Sequence, residues 1–292
     1  MTETELVVPP EAAGERLDTF LARHVGSRAA AARAVEAGVL VDGSARPKSH
    51  RLGGGESLRL LVTDDVRPER PAPDKPRIAY SDEHLLVVDK PAGLVVHPGA
   101  GNLAGTLVDA LADELAGGDP ARPGIVHRLD KDTSGLMVVT RSEEAHRRLA
   151  RLVRERALER TYLALVAGRP RSRSGRIEAP IGRDREHPTR VSLNTDRPRA
   201  AATHFEVERL WPDHALLRVR LETGRMHQIR VHLAAIGLPV VGDAVYGVAD
   251  PALGRQFLHA ARLAFPHPFT EERIDVSSPL PPELQAYLDG LG

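Results

Sequence analysis

The sequence contains no cysteine, and this absence removes several classes of site. Without thiols the chain cannot form disulfides, thiolate metal sites or a cysteine nucleophile, and this composition is typical of a reducing cytoplasm. Aromatic residues make up only 3% of the chain, so any surface that stacks on nucleic-acid bases must use very few rings. The net charge is +0, so the chain lacks the overall basic character of many nucleic-acid-binding proteins.

Long apolar runs and metal-binding patterns are also missing. No stretch approaches the ~20 apolar residues that a membrane helix needs. The segment Met1–Glu5 is acidic and lacks the apolar core of a secretory signal. His227 and His232 are spaced so that they cannot be two ligands on one helix face. We therefore expect a cytoplasmic protein with neither a membrane partner nor a metal.

Positive charge is nevertheless clustered, and nearly all of it is arginine. Only four positions carry lysine, whereas arginines are concentrated in segments 141–160 and 169–176. The planar guanidinium binds phosphate oxygens in pairs and stacks on bases. The clusters therefore favour a nucleic-acid partner, although solvated helix faces remain an alternative for each single arginine.

A proline-rich segment, residues 67–77, predicts an extended linker, because its four prolines cannot continue a helix or a central strand. We expect a small domain over residues 14–66 before it and a large domain over 78–292 after it. In the small domain, Leu17, Phe20 and Leu21 have helical spacing. After this helix the sequence predicts a helix over Ser27–Ala37, a strand over Val39–Val41, a tight turn at Asp42–Gly43, and a strand over Leu58–Val62.

The large domain is expected to mix strands and helices without regular alternation, which predicts an α+β fold. The predicted strands are Leu85–Val88, Leu94–Val96, Tyr162–Val166 and Ala215–Leu221. The predicted helices are Leu107–Leu115, a helix over Ser142–Arg156 with Ser142 as its N-cap, and a helix from Thr223 to Ile236.

Three segments of the large domain combine residue types that carry chemistry. The first, 126–135, places Asp130 between Arg128 and Lys131 at the entrance of an apolar strand. A carboxylate beside cations stays ionised. The second, 160–168, contains Tyr162 in an apolar strand, and the third, 223–232, ends in a helix that carries Arg230. Taken alone, each has a structural reading as an ion pair, a core residue or a solvated side chain.

Together and in this order, the three segments resemble the RluA family of RNA pseudouridine synthases. The resemblance spans nearly the whole chain from Ile78 and implies a mixed, mostly antiparallel sheet flanked by helices. It implies that Asp130 is the catalytic aspartate, that Tyr162 lies on the target base, and that Arg230 pairs with the aspartate. Met226 stands where the family usually has threonine or serine. Isomerisation of uridine gains no atom and involves no redox change, so we expect no cofactor.

The small domain resembles the S4 RNA-binding domain, although a domain that only packs remains an alternative reading. The target base cannot be reached inside a stacked helix, so it must be flipped out, and the resemblance to the RluA family implies that Arg128 or a neighbour fills the vacated space. We expect RNA contacts from Arg128, Lys131, Arg225, Arg28, Arg33 and Lys48.

The expected function is the isomerisation of uridines in large-subunit (23S) ribosomal RNA, in the assembling subunit or free, by a monomer. The appended small domain and segment 94–102 most resemble the RluD type, which acts on that RNA. Two alternatives stay open. The chain could be an inactive RNA-binding factor for ribosome assembly, or a synthase that acts on transfer RNA.

Overall fold

The structure of the 292-residue chain is a computed structural model. The chain forms two compact units. Residues 2–25, 31, 34–35, 38–62, 73–99, 102, 104–187 and 189–292 are described. One unit comprises Met1–Ala72 with Pro98–Gly105, and the other comprises Pro73–His97 with Thr106–Gly292. The helices are α1 (Leu17–Val25), α2 (Leu107–Ala110), α3 (Glu143–Arg154), α4 (Gln228–Ala235) and α5 (Pro282–Asp289). The strands are β1 (Thr2–Val7), β2 (Leu40–Val41), β3 (Ser44–Ala45), β4 (Ser57–Val62), β5 (Arg77–Ser81), β6 (Leu85–Lys90), β7 (Ser134–Thr140), β8 (Glu159–Ala167), β9 (Ser174–Glu178), β10 (Gly182–Arg183), β11 (Val191–Ser192), β12 (Ala202–Leu210), β13 (His214–Leu221), β14 (Leu258–Pro266) and β15 (Arg273–Ser277).

The first unit is a four-stranded antiparallel sheet, ordered β1-β4-β2-β3, with α1 packed on it. The predicted apolar face of α1 is buried, since Leu17, Phe20 and Leu21 all lie in the core. Asp42 and Gly43 have positive φ, as the predicted tight turn requires. Strand β1 lies before residue 14, where the small domain was expected to begin. It belongs to the first unit because it pairs along its whole length with β4. Most of the helix predicted over residues 27–37 lies outside the described residues.

The second unit contains a nine-stranded sheet in the order β5-β6-β7-β14-β8-β13-β12-β9, with β15 paired to β14. All of its ladders are antiparallel except the short parallel pairing of β14 with β7. The predicted α+β organisation and mostly antiparallel sheet are therefore confirmed. Strand β7 is buried on both faces, since separate apolar clusters cover the two sides of the sheet. Helix α3 lies against one side and begins where predicted, with the Ser142 hydroxyl accepting a hydrogen bond from the Ala145 N–H.

Three predicted boundaries in this unit were wrong. The helix expected from Thr223 begins only at Gln228, because the side chain of Gln228 accepts hydrogen bonds from the Thr223 hydroxyl and the Arg225 N–H and holds those residues in a loop. The helix expected over 107–115 ends at Ala110. The strand expected over 94–96 is reduced to one isolated bridge, between Val95 and Thr106.

Candidate active site

Asp130 lies in the loop that enters β7, and buried groups hold this loop in place. Leu129 is buried in the core, and the Thr133 N–H donates to the Asp130 carbonyl at 3.1 Å. The ammonium of Lys90, which is 0% exposed, donates to the carbonyls of Pro91, Leu94 and Lys131 at 2.7–2.9 Å. The end of β6 and the Asp130 loop are thereby joined, so the carboxylate has a defined position.

Arg230 of α4 contacts the Asp130 carboxylate although the two residues are 100 positions apart. Its Nη1 donates to Asp130 Oδ2 at 3.1 Å, and the two side chains are only 6% and 16% exposed. The guanidinium therefore holds one oxygen of the carboxylate by a charge-assisted hydrogen bond. Among the described residues, the flanking cations Arg128 and Lys131 form no ion pair with Asp130.

Asp243, which the sequence analysis did not single out, holds Arg230 from the other side. Arg230 Nε donates to Asp243 Oδ2 at 2.6 Å and Arg230 Nη2 to Oδ1 at 2.9 Å. Asp243 is fully buried and also accepts the backbone N–H groups of Val245 and Tyr246. Burial by itself raises the pKa of Asp243, but its hydrogen bonds with Arg230 and the backbone outweigh burial, so the pKa lies below its usual value. The guanidinium is therefore fixed between two carboxylates.

The phenol of Tyr162 faces the same cleft from β8 and is 5% exposed. Burial raises the pKa of Tyr162 above its usual value; the charge of Arg160 opposes this and that of Asp130 adds to it. The hydroxyl is therefore protonated at neutral pH and is poorly suited to accept a proton. Its ring is a flat, dry surface in a chain with few aromatics.

His227 is a second group near Asp130 that the sequence analysis did not assign to the site. Its Nε2 is 3.9 Å from Asp130 Oδ1, and its Nδ1 is 2.9 Å from the Tyr246 hydroxyl. That hydroxyl also accepts the Val191 N–H, so the Tyr246 hydroxyl links the Val191 backbone to the imidazole. Burial lowers the pKa of His227, and its Nε2 faces the carboxylate oxygen of Asp130 that Arg230 does not hold. His227 adopts a left-handed conformation, φ 55°, just before α4.

These residues border a cleft of about 520 Å³ with a strongly basic lining. Asp130, Tyr162, Arg230 and His227 all line it, as do the predicted RNA contacts Arg128 and Arg225. Further arginines line it at positions 122, 154, 156 and 160. The expected contact Lys131 is not a lining residue; its side chain is exposed and its carbonyl accepts from Lys90. Arg28 and Arg33 lie outside the described residues, and Lys48 is exposed in the first unit.

No metal site or membrane span is found in the described part of the chain. No group of three or more histidine, aspartate or glutamate side chains there is placed to hold an ion. None of the described helices has both the length and the apolar character needed to span a bilayer.

Comparison with known proteins gives consistent matches over most of the chain. The family described as RNA pseudouridylate synthase matches residues 84–235. A protein of Nitrosomonas europaea named ribosomal large subunit pseudouridine synthase D is 42% identical over 98% of this chain and 87% of its own length. A Chloroflexus aurantiacus protein named as an uncharacterized RNA pseudouridine synthase is 44% identical over 98% of this chain and 93% of its own. The solved human RNA Pseudouridylate Synthase Domain Containing 1 has a TM-score of 0.58 at 28% identity, covering 72% of this chain and 86% of that one.

Proposed function

The chain belongs to the RNA pseudouridylate synthase family, and from this premise we propose that it isomerises uridines in the RNA of the large ribosomal subunit. The family match makes it an RNA pseudouridine synthase. Relatives named ribosomal large subunit pseudouridine synthase D, about 42% identical over nearly the whole chain, support 23S ribosomal RNA as the substrate.

The observation that carries the mechanism is the contact between Asp130 and Arg230 in a basic cleft. Conversion of uridine to pseudouridine breaks the N1–C1′ bond, joins C5 to C1′, removes the C5 proton and places a proton on N1. Every atom is conserved, so the protein has to supply only a nucleophile or base and a dry, charged setting. An ionised carboxylate, held on one oxygen by a fixed guanidinium, meets that requirement.

Asp130 is assigned the reactive role on the target nucleotide. Arg230 holds Oδ2, which leaves Oδ1 as the oxygen that acts on the uridine. Asp130 is also assigned removal of the C5 proton, because the phenol of Tyr162 is itself protonated. Tyr162 is assigned the surface on which the uracil ring lies.

Access to the base requires that the nucleotide leave its stack. Arg128 is exposed where it lines the cleft, and we assign it the space that the flipped base leaves in the RNA. Arg225 lies on the opposite loop of the lining and donates through Nε to the Ala200 carbonyl, so its guanidinium is oriented rather than free to rotate. A phosphate backbone crossing the cleft would meet both guanidiniums.

The remaining assignments concern the whole protein. The first unit, with its sheet and α1, is proposed to act as an S4-like RNA-binding module that adds affinity through residues such as Lys48. The protein is proposed to act as a monomer in the cytoplasm, on free RNA or on an assembling large subunit.

Release of tritium from RNA labelled at uridine C5 tests the proposed function. The wild-type chain should release tritium from large-subunit RNA, and Asp130→Asn should release none while binding the RNA within about threefold of wild type, because the substitution keeps the size of the side chain. Carbodiimide mapping of pseudouridines in cells with and without the gene then names the positions. Absence of release by the wild type on any ribosomal RNA, with binding intact, would instead indicate an RNA-binding assembly factor. Sites in transfer RNA would redirect the substrate assignment.

A further inference from the structure

Arg160 is a buried cation of the cleft, and none of the described residues places a carboxylate within ion-pair distance of it. It precedes Tyr162 by two positions on β8, so both side chains point to the same face of the strand and both line the cleft. The residue is 7% exposed, and its Nε is buried without a hydrogen-bond partner. Arg230, at similar burial, is held by two carboxylates.

A buried and unpaired guanidinium is energetically unfavourable in the free protein. Removing a cation from water costs several kcal/mol, which a nearby anion or hydrogen-bond acceptor must offset. The neighbouring His127 does not relieve this, because burial and the charge of Arg160 lower the pKa of His127 to about 3 and keep that ring neutral. The site is therefore prepared for an anion that arrives with a ligand.

The loop opposite Arg160 is shaped to leave room for the guanidinium. A Cβ atom on Gly224 would lie 2.5 Å from Arg160 Nη1. The φ of Gly224 is not in the left-handed region, so the backbone itself does not require glycine there. With glycine at this position, the end of the Arg160 side chain can lie directly against the loop.

We propose that Arg160 binds a backbone phosphodiester next to the target uridine. This inference rests on the proposed function and deepens it. A flipped nucleotide brings its flanking phosphates to the cleft, and the guanidinium fork matches two phosphate oxygens. A phosphodiester carries a full charge in the ground state, as a permanently charged arginine requires, whereas uracil oxygens gain charge only while the N1–C1′ bond is open. Two other lining arginines already have carboxylate partners: Arg122 pairs with Asp119 and Arg156 with Glu222.

The test combines variants of the full-length protein with RNAs that lack one charge. The RNA is a hairpin on which the wild type releases tritium, made with a neutral methylphosphonate linkage either 5′ or 3′ to the target uridine. For wild type, one of the two linkages should raise the dissociation constant by about 10- to 100-fold, the range for hydrogen bonds to a charged group. Arg160→Met should show the same loss with normal RNA, and no added loss with the neutral linkage.

Two further variants distinguish a specific phosphate contact of Arg160 from a general loss of positive charge in the cleft. Melting temperatures distinguish it from a folding defect. Gly224→Ala leaves the charge in place but displaces Nη1, so it should reproduce part of the loss of affinity and of linkage sensitivity. The matched control is Arg156→Met, which removes an exposed and paired arginine of the same cleft. It should weaken binding by up to about fivefold, to the same extent with each of the RNAs. Arg160→Met should melt at or above the wild-type temperature, because it removes an unpaired buried charge.

Several results would overturn the assignment. Wild-type binding that is insensitive to both neutral linkages would exclude a phosphodiester contact. A fall in kcat for Arg160→Met with unchanged affinity would place the guanidinium on the uracil oxygens instead. A lower melting temperature together with linkage sensitivity like that of wild type would make Arg160 a structural residue. If large-subunit RNA gives no turnover with wild type, the substrate assignment fails, and the hairpin is then taken from the RNA that is modified.

Discussion

Replacement of Asp243 by asparagine should reduce both stability and turnover, although Asp243 does not line the cleft. Asparagine keeps the size of the side chain but removes the charge that faces two nitrogens of Arg230 at 2.6 and 2.9 Å. Breaking a buried ion pair by removing one partner costs about 3–5 kcal/mol. At about 2–4 °C per kcal/mol for a domain of this size, the lower figure corresponds to a fall of about 6–12 °C in melting temperature. Displacement of Arg230 from Asp130 should lower kcat by about 10- to 100-fold.

The stability difference between wild type and Asp243→Asn should depend on pH, whereas a simple packing defect would give a difference that does not. The pKa of Asp243 in the folded protein lies below the usual value of 3.8. Its ionised form therefore contributes stability that is present above that usual value and is lost as the pH falls through the lower, folded-state pKa. The difference in melting temperature between wild type and Asp243→Asn should therefore be full at pH 7 and shrink in the acid range.

The matched control is Asp275→Asn, because Asp275 also pairs with an arginine, Arg262, but on an exposed part of β15. An exposed ion pair contributes about 0–1 kcal/mol, so its loss should shift the melting temperature by only a few degrees. Melting by differential scanning calorimetry and tritium release measure both variants. If Asp243→Asn melts like Asp275→Asn, or if its deficit does not change with pH, then the buried pair does not hold Arg230 as described.

Three further predictions follow from the site and the two units. Tyr162→Phe should keep tritium release within about tenfold of wild type, since a protonated phenol is not the base. A loss of about a thousandfold would show instead that the hydroxyl takes part in removal of the C5 proton. Burial lowers the pKa of Lys90 to about 7 in the folded protein, from 10.5 in the unfolded chain. The wild type should therefore gain stability relative to Lys90→Met as the pH rises from about 7 towards 10.5. A difference in melting temperature that does not change with pH would contradict this. Deletion of residues 1–66 should raise KM more than it lowers kcat, and an unchanged KM would make the first unit a scaffold.

Local elements were predictable where one short-range interaction decides them. The N-cap of α3 was identified from Ser142, because its hydroxyl bonds within its own turn. The strand at residues 215–221 was identified from alternation, and Leu217 and Val219 are buried while Arg218 and Arg220 are exposed. These patterns need no information about the rest of the chain.

The start of α4 was missed because a competing interaction is not visible in periodicity. The apolar spacing after Thr223 is helical, yet Gln228 folds back onto Thr223 and Arg225, and His227 takes a left-handed conformation. A side chain that bonds to the preceding backbone stabilises a loop over a helix there. Neither residue type nor spacing indicates which of the two conformations has the lower free energy.

The sequence by itself determined the chemical groups of this protein: one motif with a carboxylate, one with a phenol, one with a guanidinium, and no thiol. The resemblance of the three motifs already implied that Arg230 pairs with Asp130, and the structure places the two side chains in contact. The tertiary structure added what no motif indicates: Asp243 fixes that arginine, and Arg160 has no carboxylate within ion-pair distance among the described residues. The physical reason is that ion pairing and burial depend on distances in space, and these are set by a sheet in which β14, late in the chain, lies between β7 and β8.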